Sequence, residues 1–572
     1  SLDHWRAQPA EKRTKDLAAT IQAEAAVLDL ADAEPAWGDA PAAIEALTQA
    51  VLECEYALIP HGLHVIGVAP TAAERADLLT AMGEARFGAD LRARAEEIAN
   101  AAGSSPPASA KPQSKARSTS TPYPEETHED DPDAALVEAD RHLRTHTTEL
   151  DALVNALDGR FVPPGPAGDL IRKPDLLPTG RNIHGFDPFR LPSAFAVADG
   201  AAQADRIIAR QLSETGAYPE TIALVLWGTD NLKSEGAPIA QALAFLGARP
   251  RLDAYGRVAG AELIPLSELG RPRIDIMVTL SGIFRDLLPM QTRLLAEAAL
   301  LAANADEPLD QNAVRRHTLA YMEAEGCDLE TAALRVFSNA EGAYGANVNQ
   351  LITSSSWDDE DELADMFTRR KGFAYGVKGK PAAQPELLHQ MLKDVSAAHQ
   401  NLESVELGIT TIDHYFDTLG GVSRAVSRAK GERVPVLISD QTRGDAKVRT
   451  LDEQVALETR TRALNPKWTE GMLQHGYEGV RQIEASITNT MGWSATAGGV
   501  QPWVYERLTE TYILDHDMRQ RLAALNPQAA QKVASRLIEA HERRYWEPDP
   551  ETLASLEAAA DEIEDQLEGV HA

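Results

Sequence analysis

A multidomain α/β protein is what this sequence predicts, and three observations carry that expectation. The chain has 572 residues, too many for one ordinary core, and at about 150 residues per domain it suggests three or four units. Two short, nearly continuous apolar runs, residues 221–228 and 274–282, are each followed by a helical pattern, as expected for parallel strands covered on both faces. Hydrophobic residues make up 44% of the chain and charged residues 25%, so the material for packed cores is present.

Taken in order, residues 1–102 read as a helical segment rich in Ala, Leu and Glu. It is interrupted by Ile59-Pro60-His61-Gly62-Leu63-His64-Val65-Ile66-Gly67, an apolar turn with two histidines. Residue 1 is Ser and residues 1–32 already have helical spacing, which predicts a piece of a longer polypeptide. Residues 103–135 turn Ser/Pro/Ala-rich and then acidic, through Glu125, Glu126, Glu129, Asp130 and Asp131, and read as a flexible linker or exposed loop. Residues 136–309 form the expected α/β domain, with strands over 221–228 and 274–282 and helices over 237–246 and 284–303. Ligands of such sheets sit beyond the carboxyl ends of the strands, here Gly228-Thr229-Asp230 and Ser281-Gly282. Residues 310–572 read as mainly helical with some strands, 434–439 being one. The last helix has Asp549 as cap, Pro550 at its first position, an apolar stripe of Leu553, Leu556, Ile563 and Leu567, and Gly569 to end it.

The formal net charge of -32 argues against nucleic acid, whose phosphates need clustered Lys and Arg; cations and basic partner surfaces fit better. Two cysteines, Cys54 and Cys327, stand in no metal-ligand spacing and suit a reducing cytoplasm. No apolar run approaches the roughly 20 residues of a membrane span, so a soluble or membrane-peripheral protein is expected. The sequence has no G-x-x-x-x-G-K-[ST] and no G-x-G-x-x-G after a strand, so ATP chemistry belongs elsewhere; H-E-x-x-H and G-x-S-x-G are also missing.

What remains is a set of dense polar and glycine-rich stretches. Residues 177–188 combine Gly and Pro with Arg181, Asn182, His184 and Asp187, as a binding loop or a structural crossover would. Residues 335–349, with Asn347, offer small side chains and amides to a flat ligand, or simply caps. Asp413-His414-Tyr415-Phe416-Asp417 sets two carboxylates around a histidine, suited to accepting protons or handing over a hard cation, although such a turn is more often a cap or salt bridge. Asn465 to Gly479, with His475, and Met491 to Gly498, with Trp493, read by chemistry alone as packing motifs more often than ligand contacts.

Together and in order, these stretches resemble the C-terminal part of the family of large porphyrin-binding (H) polypeptides of the magnesium chelatases, within the wider cobaltochelatase large-subunit superfamily. The motifs that carry the resemblance include His61-Gly62-Leu63-His64, Leu177-Pro178-Thr179-Gly180-Arg181-Asn182-Ile183-His184, Trp227-Gly228-Thr229-Asp230-Asn231, Arg335-Val336-Phe337-Ser338-Asn339, His414-Tyr415-Phe416-Asp417, His475-Gly476-Tyr477-Glu478-Gly479 and Asn489-Thr490-Met491-Gly492-Trp493. The resemblance implies a porphyrin-binding catalytic subunit that inserts Mg²⁺ into protoporphyrin IX in chlorophyll or bacteriochlorophyll biosynthesis, a ligase forming nitrogen–metal bonds. It implies two AAA+ partners, the I and D subunits, that hydrolyse the ATP, with the downstream Mg-protoporphyrin methyltransferase as a further candidate partner. The expected setting is the cytoplasm of a bacteriochlorophyll-making bacterium, or the plastid stroma for an oxygenic eukaryote. A His-Gly-x-Leu-Glu-Trp stretch of the family has no counterpart here, so this chain alone is expected to lack chelation.

On that resemblance, His414, Asp417, His184 and His475 are the candidate bases for the two pyrrole protons, with Asp417 also the Mg²⁺ contact. Arg181 or Arg285 would pair the propionates, and Asn182, Asn347 and Trp493 would line the macrocycle. Two other readings stay open: a cobaltochelatase-type large subunit acting on a corrin precursor, and a porphyrin-binding carrier or scaffold without catalysis.

Overall fold

A computed structural model describes residues 2, 5, 14–55, 62–87, 91–101, 131–144, 147–165, 167–168, 170–171, 174–183, 186–442 and 446–568. Most of the expected linker, together with His61, His184 and Gly569, lies outside the described residues; its last residues, from Pro132, open the helix Pro132–Leu143 instead. The chain divides into two compact units. One comprises residues 1–63, 452–494 and 499–572, and the other residues 64–451 and 495–498.

The larger unit is built on strands β1 (Thr221–Leu226), β2 (Ala248–Leu252), β3 (Val258–Leu263), β4 (Asp275–Leu280), β5 (Val336–Ser338), β6 (Phe373–Ala374), β7 (Ala382–Ala383), β8 (Val395–Leu402), β9 (Val436–Asp440) and β10 (Val448–Thr450). Strands β2 and β3 pair as a hairpin, and the other eight form one sheet in the order β10-β9-β8-β1-β4-β5-β6-β7. The inner pairs β9/β8, β8/β1, β1/β4 and β4/β5 are parallel, and the outer pairs are antiparallel. Every residue of β1 and of β4 is buried, the cause of their unbroken apolar runs, since a strand covered on both faces has no solvent side on which to alternate. The helix Ala194–Thr215 covers one face; Ser193 caps it by accepting from Ala196 N at 3.2 Å, and Gly216 ends it in the left-handed conformation. It presses Ala204, Ile207 and Ile208 into the same core as Ile222, Leu224, Ile276 and Val278.

This one sheet takes strands from both sides of residue 310: β1 and β4 precede it, and β5 to β10 follow it. The predicted helix over 284–303 is two helices, Gly282–Leu287 and Pro289–Asn304, because Pro289 cannot donate to the turn before it and starts a new helix at N1. The strand expected near 434–439 is β9.

Among its described residues the smaller unit forms helices joined by turns and loops, with no strand. Trp468, Val480, Ile483, Ile487, Tyr505, Tyr512, Val533, Leu537 and Trp546 share its main core. The last helix, Pro550–Glu568, buries Leu556, Ala559 and Ile563 and is capped by Asp549, which accepts from Glu551 N and Thr552 N at 2.9 and 3.0 Å. None of the helices in the described residues is long and apolar enough to cross a membrane.

Candidate functional site at the carboxyl edge of the sheet

Five parallel strands end on the same edge. In chain order β1, β4 and β5 step outward on one side, then β8 returns to the other side of β1 and β9 follows, so the strand order reverses between β1 and β8. That reversal is where open α/β sheets leave a crevice for ligands. Trp227, just past β1, donates from Nε1 to Gln400 Oε1 of β8 at 3.2 Å, directly across the reversal. Beside it, Gly228 approaches the neighbouring strand's turn so closely that a Cβ would sit 2.8 Å from Phe284 N. Ser281 Oγ locks the two turns together, accepting from Gly228 N at 3.2 Å and from Phe284 N at 3.1 Å.

The 413–417 motif comes to this edge. Its helix Asp413–Tyr415 runs into a π-turn, Phe416–Gly420, a local distortion of the helix common at functional sites. Tyr415 packs edge-on against Trp227 with ring centroids 5.4 Å apart. Asp417 is fully buried; Oδ2 accepts from Ala346 N at 2.7 Å and Oδ1 from Asn349 N at 3.1 Å. The 345–349 turn can aim those two amides because Gly345 and Asn347 both take positive φ, 67° and 63°, a conformation that Asn tolerates better than other side chains. Burial pushes the Asp417 carboxyl up, against the opposing pull of the two amides, Lys371 and His414. Asn349 Nδ2 ties the turn to Asp413 Oδ2 at 2.7 Å. His414 projects outward, its side chain 63% exposed and Nδ1 3.6 Å from Asp413 Oδ1.

Behind Asp417 lies a buried cation that the sequence reading missed. Lys371 is 1% exposed; its Nζ donates to Leu280 O at 3.1 Å and to Asn339 Oδ1 at 2.8 Å. Burial brings its pKa down to about 8, with Asp417 opposing that shift. Asn339 Nδ2 then donates to Gly345 O at 2.8 Å, so Lys371 braces the turn that holds Asp417. Nothing in the sequence marks this lysine, because Arg369-Arg370-Lys371 reads as a solvated helix end.

The other predicted residues are placed elsewhere or are already engaged. Arg285 is buried and turned inward: Nε meets Asp286 Oδ1 at 2.7 Å, Nη1 donates to the carbonyls of Ala340 and Ala343 at 2.8 Å each, and the guanidinium lies 5.2 Å from the Tyr344 ring centroid. Asn347 serves the turn through its backbone and caps nothing with its side chain. Arg181 and Asn182 are exposed, and Asn182 pairs through its backbone with Pro163 and Gly165. His475 and Trp493 belong to the smaller unit. His475 Nε2 accepts from Leu63 N at 2.9 Å, and Trp493 is fully buried. His184 lies outside the described residues. Of the nine candidates, the structure gathers His414, Asp417, Arg285 and Asn347 around the carboxyl edge. No group of three or more His, Cys, Asp or Glu arranged to hold a metal occurs among the described residues.

Known proteins are similar to this chain in sequence and in architecture. The family model described as CobN/Magnesium Chelatase matches residues 1–553. The chain is 54% identical over 577 residues to the magnesium-chelatase H subunit of Rhodobacter capsulatus, covering 100% of this chain and 43% of that protein. It is 55% identical over 552 residues to the magnesium-chelatase H subunit of Cereibacter sphaeroides, covering 96% and 41%. Among solved structures it is similar to the catalytic subunit of cobaltochelatase from Mycobacterium tuberculosis, with a TM-score of 0.80 and 32% identity over 96% of this chain and 51% of that one. The chain therefore spans less than half the length of these two curated relatives.

Proposed function

The chain belongs to the CobN/magnesium chelatase family, and from that premise we propose that it supplies part of the porphyrin-holding, catalytic subunit of a magnesium chelatase. The reaction is insertion of Mg²⁺ into protoporphyrin IX, with ATP hydrolysed by the AAA+ partners, the I and D subunits. The observation that carries this reading is the identity above one half to relatives named as magnesium-chelatase H subunits.

The chemistry asks for three things: a place for a flat ligand, acceptors for two pyrrole protons, and hard oxygen near a cation that gives up water reluctantly. The carboxyl edge supports each. The Trp227–Tyr415 pair lends an aromatic wall at the strand reversal, Asp417 is a fixed carboxylate whose geometry is set before any ligand arrives, and His414 stands exposed two residues beyond Ile412. Lys371 puts positive charge beside Asp417, which favours the ionised carboxylate against the burial that opposes it. The missing phosphate loop agrees with ATP being used on partner subunits.

A cobalt-inserting role on a corrin precursor is the second reading, favoured by the similarity to the cobaltochelatase structure. One experiment addresses both. The purified chain is titrated with protoporphyrin IX while tryptophan quenching is followed, and the full subunit is assayed with its I and D partners and ATP against Mg²⁺ and Co²⁺. Saturable porphyrin binding with Mg²⁺-selective insertion is the expected result. Insertion of cobalt alone favours the second reading, and no porphyrin binding with no Mg²⁺ insertion overturns the first.

A further inference from the structure

Asp230 is a buried carboxylate at the carboxyl edge that the fold leaves without a partner. It stands three residues past Trp227, in the helix Gly228–Lys233 that follows β1. It is 4% exposed, and its Oδ2 has no hydrogen-bond partner among the described residues. Other buried aspartates of this unit are served: Asp417 by two backbone amides, Asp275 by Arg335 and His317, Asp440 by Arg449 and Thr442. An unpaired buried carboxylate costs stability unless it neutralises or finds a partner, and its place at a ligand-binding edge makes function the natural reason to keep it.

The surroundings offer this carboxylate a single counter-charge and give its Oδ2 no hydrogen bond among the described residues. Burial pushes the Asp230 carboxyl up to about 6, and Lys233 on its own helix is the charge that opposes this. Of the helices packed against it, Gly282–Leu287 carries Arg285 and Asp286, closed on each other at 2.7 Å, and Ala237–Phe245 carries no charged residue. The Trp227–Tyr415 contact joins the turn that leads into Asp230 to the turn that carries Asp417.

We propose that Asp230 is a second proton-accepting carboxylate of this edge, acting on an N–H acid held over it. The inference rests on the porphyrin reading above and deepens it. Loading a divalent cation into a free-base macrocycle releases two protons. At each, the pyrrolic N–H bond breaks, the electron pair stays on nitrogen to bind the cation, and the proton forms an O–H bond on an acceptor before passing to solvent. Both oxygens of Asp417 already accept backbone N–H groups, whereas the lone pairs of Asp230 Oδ2 are unused. A single intervening water is sufficient for such a transfer.

The test compares wild-type full subunit with Asp230→Asn in three measurements: porphyrin titration, Mg-porphyrin formation with the partner subunits from pH 5 to pH 8.5, and thermal melting. The expected variant binds porphyrin within twofold of wild type and forms product at least tenfold more slowly. It also loses the rise in rate centred near pH 6, and it melts higher than wild type at pH 8 with a smaller difference at pH 5. Should Asn fail to fold, Asp230→Ser carries the same comparison. A variant with raised melting temperature but a wild-type rate and pH profile overturns the proposal alone. A wild-type subunit that neither binds porphyrin nor forms product overturns the functional reading and this inference with it.

Discussion

Arg335 donates from Nε to Asp275 Oδ1 at 2.8 Å, and both side chains are 1% exposed. Asp275 opens β4, at the amino end of the sheet and away from the candidate site, and its other oxygen meets His317 Nδ1 at 2.9 Å. Arg, Asp and His in contact would suggest catalysis from residue types alone. Here Arg335 also donates to Ala332 O, Leu334 O and Thr318 Oγ1, which makes the group a brace between β4, β5 and the helix Ala313–Glu325.

That brace predicts a large stability effect without a matching loss of ligand binding. Asp275→Asn leaves the Arg335 charge buried and unpaired, which costs about 3–5 kcal/mol, read as a lower urea midpoint. The pH dependence is also specified. Burial works to raise the Asp275 pKa, but Arg335 and His317 outweigh it and hold the group at about 2. A depressed carboxylate contributes stability that is present above its unfolded value near 4 and lost as pH falls toward 2, here about 2 kcal/mol. His317 runs the other way: burial lowers it, Asp275 outweighs that and raises it, so its contribution is complete below about 6.5 and fades as pH rises through the folded value.

The π-turn that carries Asp417 predicts a steric effect. A Cβ on Gly420 would lie 2.3 Å from Thr496 Oγ1 and 2.9 Å from Thr496 Cβ. Gly420→Ala is therefore expected to destabilise by about 1–3 kcal/mol. Adding Thr496→Ala removes the nearer atom and should restore part of the loss, as a pair of thermal melts would show. Additive losses would mean that the contact is not the cause.

How much of this was readable in the sequence depends on what made each element form. Strands β1 and β4 announced themselves because both faces are covered and both therefore had to be apolar. Strand β8 did not: Ala397, Ala398, His399, Gln400 and Asn401 are small or polar, and only pairing with β1 and β9 makes them a central strand. There, His399 is kept neutral, burial bringing it down to about 3, while it bonds Ser439 Oγ at 2.8 Å. The His414–Asp417 motif was visible as chemistry, yet its partners were not, since the amides that Asp417 accepts come from Ala346 and Asn349, far back in the chain. Lys371 was invisible for the same reason, since a charged side chain reads as solvated until the tertiary fold buries it, whereas Asp230 stood at the expected ligand end of the first strand and only its burial and unmet oxygen were hidden.

His475 tests the smaller unit. Its Nε2 accepts the Leu63 amide, and a Cβ on Gly62 would come within 2.5 Å of the same atom, so the ring works as an acceptor for a tight turn. His475→Gln offers an oxygen in its place and is expected to keep insertion within about threefold, whereas His475→Ala orphans the amide at a cost of about 1–3 kcal/mol. A rate loss of about 10² or more in the Gln variant, with normal melting, would return His475 to the bases.

Asp417 is the sharpest case, because the structure changes what its substitution should do. As a helix cap, Asp417→Asn would cost only about a few tenths to one kcal/mol, since Asn caps nearly as well. Asp417 instead accepts two amides from a distant turn, one on each oxygen. Asn has a single oxygen to offer, so its NH₂ must face either Ala346 N or Asn349 N, and one buried donor goes unmet. The expected loss is about 1–3 kcal/mol, with the 345–349 turn loosened, which faster amide exchange at those residues would report. If the carboxylate also takes a proton or meets Mg²⁺, the insertion rate should fall by about 10² or more with porphyrin affinity held. Comparison with Asn349→Pro separates the two jobs, because that change removes one amide and the tie to Asp413 while the Asp417 carboxylate remains. Equal rate losses in both variants would mean that Asp417 matters only through the turn, whereas a far larger loss in Asp417→Asn at comparable stability would mean that the charge itself does the chemistry.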